Sequence, residues 1–398
     1  MHVRKITPQE QLAVMRVSAT AFLFEISDET TQKLAAAPLD NGHENVWAAF
    51  DDDTGTLTAS MVAYPCDMRF DGNVVRMSGI GNVASLPEHR MLGSVRAIFQ
   101  AVLDEDYNTG TAFSALYPFS YGYYRKFGYE LTTSVLDIEV PMETFGGMRS
   151  GGKLTQWFFG MDFAPLKRVY DLCTRQVNQT FERTDKQWEG QLKHDPYKDK
   201  RYIYTWSDDA GVVQSYGMFR PERRVDHSVL VMEELAYANR DGFYGMMSLL
   251  RTLGAQFSKL VATYADWMPA MADSFGDPYS AVIKLKPRVM QRVVNLPAAL
   301  AALRVPCAEG NVCFALSDPM IAANNGVFTV TWQDGKARLS QGGEPEFGLT
   351  IGQLTQLVLG YLSFDEALMA HREIVLSGDG AGARALFVKK RQAMWNYF

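Results

Sequence analysis

The spacing of hydrophobic and polar residues changes several times along the chain. Between residues 57 and 70 they alternate, which predicts a strand with one buried face. Asp71-Gly72-Asn73 then offers a hairpin turn, and residues 74–86 return as the partner strand until Pro87. From Val95 to Leu103 the apolar side chains are spaced as on one face of a helix. The first region therefore predicts a strand hairpin followed by an amphipathic helix.

The pattern of the first region recurs in the middle of the chain. The first region ends with a short strand, a helical turn and another strand, at 112–116, 121–127 and 129–140. Residues 150–290 then repeat its order of elements more faintly, with strands at 201–206, 212–219, 229–238 and 260–265 and a helix at 245–253. Because the order repeats and the residues do not, we interpret this part as a degenerate second copy.

A small α+β region begins near Leu296. Its strands are predicted at 312–316, 326–332 and 336–339, and its helices at 349–362 and 380–390. A chain of 398 residues is too long for one ordinary hydrophobic core, so we predict three domains. Their bounds are 1–147, 148–292 and 293–398, and the predicted fold class is α+β with mixed α/β sheets.

Composition narrows the class of protein. Apolar residues make up 47% and charged residues 21%, which is typical of globular proteins. The net charge of −6 argues against a nucleic-acid partner and suits a cationic substrate. The four cysteines are scattered without a CxxC pair, so we expect no metal site. The chain has no apolar signal segment and no stretch long enough to span a membrane, so we expect a cytoplasmic protein without a membrane partner.

The most informative motif lies where the returning strand meets the amphipathic helix, at Arg90-Met91-Leu92-Gly93-Ser94-Val95-Arg96. A helix N-terminus presents free N–H groups and a positive dipole end, which together bind anions such as a pyrophosphate. Gly93 lets the backbone approach the phosphates, and Arg90 and Arg96 add charge. An ordinary strand–helix connection also yields R-x-x-G by chance; the surrounding hairpin and helix favour the anion site.

This junction resembles that of the GNAT acetyltransferases, which carry Q/R-x-x-G-x-G/A there. Val95 departs from the last position, whereas Arg96 matches the R-x-x-G-x-x-R motif of the Eis-like (enhanced intracellular survival) subgroup. The resemblance implies tandem GNAT-type domains followed by a sterol-carrier-protein-like domain. It also implies transfer of an acetyl group from acetyl-CoA to a primary amine, and a homo-oligomer, either a trimer or a hexamer.

The resemblance further implies which residues bind acetyl-CoA. Backbone groups of the strand before the motif contact the pantetheine arm and the thioester oxygen, and the loop and helix start wrap the pyrophosphate. The residues are Val83, Ala84 and Ser85 for pantetheine, Arg90, Met91, Leu92, Gly93, Ser94, Val95 and Arg96 for pyrophosphate, and Phe119 and Ser120 nearby.

A second matching segment, residues 121–129, resembles the family's Y-x-x-x-G-F/Y motif and puts Tyr124 at the position of the general acid. Aminolysis of a thioester expels a thiolate, and a phenol is a suitable proton source for it. Aromatic packing is the alternative for Tyr124, and it is our interpretation of Tyr121, Tyr123 and Tyr129.

The chain ends on an aromatic run, residues 391–398, whereas most termini are polar and frayed. In the Eis-like enzymes the terminal carboxylate is the general base for the substrate amine, so the resemblance implies this role for Phe398. An amine with a pKa of about 10.4 must lose a proton before it attacks. The alternative is a terminal segment that covers a hydrophobic surface.

The remaining regions give little information about the amine that accepts the acetyl group. The second copy has Asp241 where a phosphate loop would be, so we infer that it lost CoA binding and shapes the substrate pocket. Phe22, Phe24, Glu25 and Asp28 lie where relatives line the amine site, and aromatic and acidic groups suit a cation. Core aromatics beside a solvated acidic turn are equally compatible.

Three functions remain open on the sequence alone. The first is N-acetylation of a lysine, polyamine or aminoglycoside-like amine, in a small molecule or a peptide. The second is a non-catalytic scaffold that binds CoA or a small molecule. The phosphate loop is expected in both of these functions, so it does not distinguish them. The third is lipid binding by the last domain.

Overall fold

The alternating segment at residues 57–86 folds into a long antiparallel hairpin in the computed structural model, which describes residues 1–36, 43–263, 278–305 and 308–398. The strands are β1 (His2–Lys5), β2 (Val46–Phe50), β3 (Leu57–Phe70), β4 (Asn73–Ser85), β5 (Phe113–Leu116), β6 (Glu130–Pro141), β7 (Lys153–Trp157), β8 (Tyr202–Ser207), β9 (Val213–Arg223), β10 (Ser228–Tyr237), β11 (Lys259–Ala262), β12 (Val282–Val293), β13 (Glu309–Ser317), β14 (Gly326–Gln333), β15 (Lys336–Gln341) and β16 (Phe347–Thr350).

The helices of the described ranges lie between these strands or after the last of them. They are α1 (Gln11–Phe22), α2 (Asp28–Ala36), α3 (Ser94–Asn108), α4 (Tyr121–Arg125), α5 (Ala164–Thr174), α6 (Asp185–Leu192), α7 (Pro196–Asp199), α8 (Arg240–Leu253), α9 (Leu296–Ala301), α10 (Ile351–Val358), α11 (Phe364–Ala370) and α12 (Ala381–Leu386). The predicted helix at 349–362 spans only residues 351–358, because residues 349–350 belong to β16 and Gly360, with a φ of 69°, lies just past its end. The helix predicted at 380–390 ends at Leu386. The last residues of the predicted strand 260–265 lie outside the described residues.

The chain divides into two compact units. The first comprises residues 1–132, 288–390 and 397–398, and the second comprises residues 133–287 and 391–396. The first and third regions of the sequence thus contribute to one unit, and the middle region forms the other. The division into three domains at residues 147 and 292 stays a prediction.

The first unit is built on strands in the order β1-β2-β3-β4-β5-β12. Neighbours are antiparallel except β4 and β5, which are parallel and joined by α3. Side chains alternate between the two faces of a strand, so Ala48 packs in the cluster with α1 and Ala49 in the cluster with α3. Ile98 and Phe99 of α3 are fully buried, which confirms the predicted amphipathic helix.

The last part of the first unit has a separate sheet in the order β15-β14-β13-β16. Its core is filled by aromatic side chains: the ring of Phe314 lies 6.2 Å from that of Phe347 and 6.5 Å from that of Phe387. All residues of α10 are buried, beginning at a capping box formed by Thr350 and Gln353.

The second unit repeats the topology of the first with different residues. Its strands lie in the order β6-β11-β10-β9-β8-β7, and β10 and β11 are parallel and joined by α8, as β4 and β5 are joined by α3. The predicted tandem arrangement is therefore confirmed at the level of fold. A buried ion pair between Arg183 and Glu234 lies in its core, where Glu234 also accepts a hydrogen bond from the Tyr216 hydroxyl at 2.5 Å.

Candidate functional site

Strands β4 and β5 separate in the middle of the first sheet. They pair in parallel from Met77 opposite Phe113 to Ile80 opposite Leu116, and β4 then continues to Ser85 without β5. A bulge follows in β4, where Asn82 has a φ of 49° and donates a hydrogen bond to the Ser18 hydroxyl at 2.9 Å. Backbone groups of β4 that would otherwise pair with a neighbouring strand are thus available beyond Ile80.

A cleft of about 800 Å³ opens beside this end of β4. Its lining comprises Ala21, Phe22, Val83, Ala84, Ser85, His89, Arg90, Met91, Gly93, Ser94, Val95, Arg96, Phe119, Tyr123, Lys126 and Phe127. Most residues that the sequence predicted to bind acetyl-CoA therefore lie around one cavity. The exceptions are Leu92, which is exposed outside the lining, and Ser120, whose hydroxyl caps α4 by accepting the Tyr123 N–H at 3.4 Å.

The loop before α3 keeps its backbone N–H groups available. The helix begins at Ser94, and Gly93 precedes it with a φ of 88° that only glycine adopts readily. No residue of the described ranges accepts a hydrogen bond from the backbone N–H groups of residues 91–96. These groups and the positive end of the helix dipole face a cleft that also holds Arg90, Arg96 and Lys126. Free N–H groups, a positive dipole end and cationic side chains are features that favour an anion.

Tyr124 lies next to this cleft but is buried, with 3% of its surface exposed, and it is not part of the lining. Its ring is 5.4 Å from that of Phe119 and 5.2 Å from that of Tyr123, both of which line the cleft. Burial raises the pKa of Tyr124 well above its ordinary value, which keeps the phenol protonated. Tyr129, in contrast, is wholly in the core, and its hydroxyl pairs with that of Ser114 at 2.7 Å.

The last residue lies against β4 at the point where the strands separate. A Cβ atom at position 79 would come within 2.5 Å of Phe398 Cδ2, and one at position 81 would lie 3.5 Å from the Phe398 backbone oxygen. The rings of Tyr397 and Phe398 pack on Tyr117 at centroid distances of 4.4 and 5.2 Å. Gly79 and Gly81 therefore provide the space that Phe398 occupies, and the backbone oxygen of Phe398 lies over Gly81.

Only one of the four residues predicted for the amine site lines the cleft. Phe22, 54% exposed, lines the cleft, whereas Phe24, Glu25 and Asp28 are not among the lining residues. Asp28 instead begins α2, where an acidic side chain offsets the helix dipole.

Several residues of the site were not predicted from the sequence. Lys126 and His89 line the cleft, and Gly79 and Gly81 accommodate Phe398. The alternating Gly-x-Gly within a strand was a usable signal, since glycine there marks a close approach of another group. Lys126 offered none, because an exposed lysine at the end of a short helix is common.

The described residues contain no group of three or more histidine, cysteine, aspartate or glutamate side chains arranged to hold a metal ion. No helix in the described part of the chain combines the length and apolar character needed to cross a membrane.

Comparisons with known proteins agree with this geometry. Residues 2–132 match the family model of the acetyltransferase (GNAT) domain, and residues 296–395 match that of the sterol carrier protein domain. A search of curated proteins finds no match.

Solved structures resemble the whole chain. A GCN5-related N-acetyltransferase from Anabaena variabilis has a TM-score of 0.86 at 21% identity, with 100% of both chains covered. A probable N-acyltransferase from Enterococcus faecalis has a TM-score of 0.83 at 22% identity, covering 98% of this chain and 97% of that one. Eis1 from Mycobacterium abscessus has a TM-score of 0.80 at 17% identity, with 100% of both covered. The chain thus joins a domain of the GNAT acetyltransferase family to one of the sterol carrier protein family, within a fold that it shares with Eis1.

Proposed function

We propose that this protein is an N-acetyltransferase that moves the acetyl group of acetyl-CoA to a primary amine. The GNAT domain places it among acyl-CoA-dependent N-acyltransferases. One observation carries the more specific proposal: the anion cleft and the chain terminus meet on the same strand, with Val83 lining the cleft and Gly81 under the Phe398 backbone oxygen.

The cofactor is expected to follow the lining of the cleft. Its pyrophosphate binds the free backbone N–H groups of residues 91–96, with Arg90 and Arg96 supplying charge. Its pantetheine arm runs along residues 83–85, where β4 has left β5 and its backbone can pair with the amides of the arm. This path brings the thioester to the point of separation, close to Phe398.

Proton transfers at that point follow from the chemistry of the groups. The Phe398 carboxylate accepts a proton from the substrate ammonium, which frees the nitrogen lone pair. The amine attacks the thioester carbonyl, and the C–S bond breaks as the tetrahedral intermediate collapses. The leaving thiolate takes a proton from Tyr124, which is protonated at neutral pH, and the resulting phenolate takes up the proton that the acetylated nitrogen must lose to become a neutral amide. The proton held by the Phe398 carboxylate passes to solvent.

A second candidate function is a CoA-binding scaffold without catalysis. The observation that favours it is the position of Tyr124, which is buried behind Phe119 and Tyr123 and does not line the cleft. A thiol-release assay with acetyl-CoA and a panel of primary amines separates the two. CoA binding with no release above the rate without enzyme, for any amine, supports the scaffold, and absence of CoA binding excludes both.

The acceptor and the assembly belong to the same proposal. The net charge of −6 and the need for a primary amine favour a lysine side chain, a polyamine or an aminoglycoside-like molecule as the acceptor. The enzyme is expected to act in the cytoplasm. A homo-oligomer, a trimer or a hexamer, is implied by the resemblance to Eis-like enzymes, and light scattering measures it. Lipid binding by the last domain is a further alternative, and a native mass spectrum tests it.

A further inference from the structure

An ion pair at the end of β12 is fully buried in the first unit. The side chains of Arg292 and Asp318 are both 0% exposed, and the guanidinium donates to the carboxylate. Arg292 also donates through Nη1 to the Phe127 carbonyl at 2.5 Å and through Nε to the Val293 carbonyl at 3.2 Å. Removing two charges from water is costly, so a pair with this many aligned partners calls for a role beyond stability.

The carboxylate of Asp318 organises the turn that follows β13. Its Oδ1 accepts the N–H groups of Met320 at 2.9 Å and Ile321 at 3.1 Å, and its Oδ2 accepts the Asn324 side-chain amide at 2.9 Å. The backbone N–H of Asp318 in turn donates to Asn325 Oδ1 at 2.8 Å. The turn 318–325 is therefore held together by hydrogen bonds that come mainly from two of its side chains, Asp318 and Asn325.

This turn holds the helix that carries the phosphate loop. The Pro319 carbonyl accepts a hydrogen bond from Arg96 Nη2 at 3.2 Å, and the Met320 carbonyl accepts one from Gln100 Nε2 at 2.9 Å. Arg96 lines the cleft. The sterol carrier domain thus accepts hydrogen bonds from two side chains in the first two turns of α3.

Arg292 also holds a second part of the lining of this cleft. Phe127, whose carbonyl accepts from Arg292, lines the cleft and stacks on Phe99 of α3 at a centroid distance of 4.3 Å. The next residue, Gly128, has a φ of 82°, and a Cβ there would lie 2.7 Å from Ile351 Cγ2 and 3.0 Å from Arg292 Nη1. The turn after α4 therefore packs directly against the Arg292 side chain and against α10.

We propose that Arg292 and Asp318 are positioning residues of the acyl-CoA cleft, through which the sterol carrier domain fixes the phosphate loop of α3 relative to the turn after α4. The inference rests on the proposed CoA binding at this cleft. Free N–H groups bind a pyrophosphate well only when their spacing is set before the ligand arrives. A loosened ion pair lets Phe127 and Arg96 move independently, and this weakens CoA binding without removing any group that touches the ligand.

The test compares three variants with one matched control. Asp318→Asn removes the charge in an isosteric side chain, Arg292→Lys keeps the charge but not the fork of donors, and Gln100→Ala removes one contact to the turn. Asp71→Asn is the control. It breaks another buried ion pair of the same unit, that with Lys390, at the β3–β4 turn and outside the cleft lining.

Isothermal titration calorimetry with CoA gives the dissociation constant, and scanning calorimetry gives Tm. We expect CoA to bind about threefold to thirtyfold more weakly to Asp318→Asn and Arg292→Lys, and KM to rise more than kcat falls. The control is expected to lose Tm with an unchanged dissociation constant.

The outcomes separate the two proposals. Folded variants that bind CoA within about twofold of the wild type overturn the positioning role, as does an equal loss of binding in Asp71→Asn. If both ion-pair variants fail to fold, Gln100→Ala tests the positioning role instead, because this substitution leaves no buried charge unpaired. Unchanged CoA binding by Gln100→Ala overturns the positioning role, and weakened CoA binding supports it. A wild-type protein that does not bind CoA refutes the proposed function itself.

Discussion

Replacing Gly79 with alanine tests whether the position of the terminal carboxylate matters for catalysis. The new methyl group would lie 2.5 Å from Phe398 Cδ2 and 2.6 Å from Cγ. Carbon atoms pack at about 3.5–4.0 Å, so the ring and its carboxylate must move by roughly 1 Å. A misplacement of about 1 Å costs on the order of 100-fold in rate, which is the loss of kcat that we expect.

Gly81→Ala is the matched control, because it adds the same group to the same face of β4. Its methyl group would lie 3.2 Å from Tyr64 Cε2 and 3.5 Å from the Phe398 oxygen, contacts that a small shift of the tyrosine ring relieves. We expect a loss of kcat of roughly threefold or less there, since a displacement of a few tenths of an ångström suffices. Thiol release under saturating acetyl-CoA and amine measures kcat for both.

A shortened chain distinguishes displacement of Phe398 from damage to the strand. In a protein that lacks Phe398 the methyl group at position 79 has no ring to displace, so Gly79→Ala is expected to have no further effect on kcat. A loss of equal size in the full and shortened chains would show that the substitution acts on β4 itself. Full-length Gly79→Ala that retains kcat within threefold would refute the reasoning.

Three further predictions concern other groups. Tyr124→Phe is expected to lower kcat by about 10²–10⁴ while Tyr123→Phe changes it little, and the reverse would move the acid role to Tyr123. Lys126→Ala is expected to raise KM for acetyl-CoA about threefold at low salt, with less effect at high salt; an unchanged KM at low salt would remove Lys126 from the phosphate site. Burial raises the pKa of Asp106 to about 7, so its ionisation opposes folding increasingly as pH rises from about 4 to 7. Asp106→Asn is therefore expected to raise the free energy of unfolding at pH 8 by up to about 4 kcal/mol relative to wild type, and to change it little at pH 4. Urea titration measures both values, and an equal effect at the two pH values would contradict the prediction.

Much of the cofactor cleft was predictable because its parts are neighbours in the chain. The hairpin, the loop and the start of α3 lie within residues 57–96, and both the period of their apolar residues and the R-x-x-G-x-x-R motif are local signals. The tandem topology was predictable from the repeated order of strands and helix, although the residues do not repeat. Element ends were less well predicted: α10 begins two residues later than expected because residues 349–350 pair in β16, and it stops just before Gly360, whose φ is 69°.

The sequence by itself determined the phosphate loop, the amphipathic helix behind it and the order of elements in both copies, because each depends on residues only a few positions apart. Only the tertiary structure decided that Phe398 rests on Gly79 and Gly81, and that Arg292 joins Asp318 to Phe127. Contacts between residues far apart in the chain depend on how complete sheets and helices pack, and no local period encodes that packing.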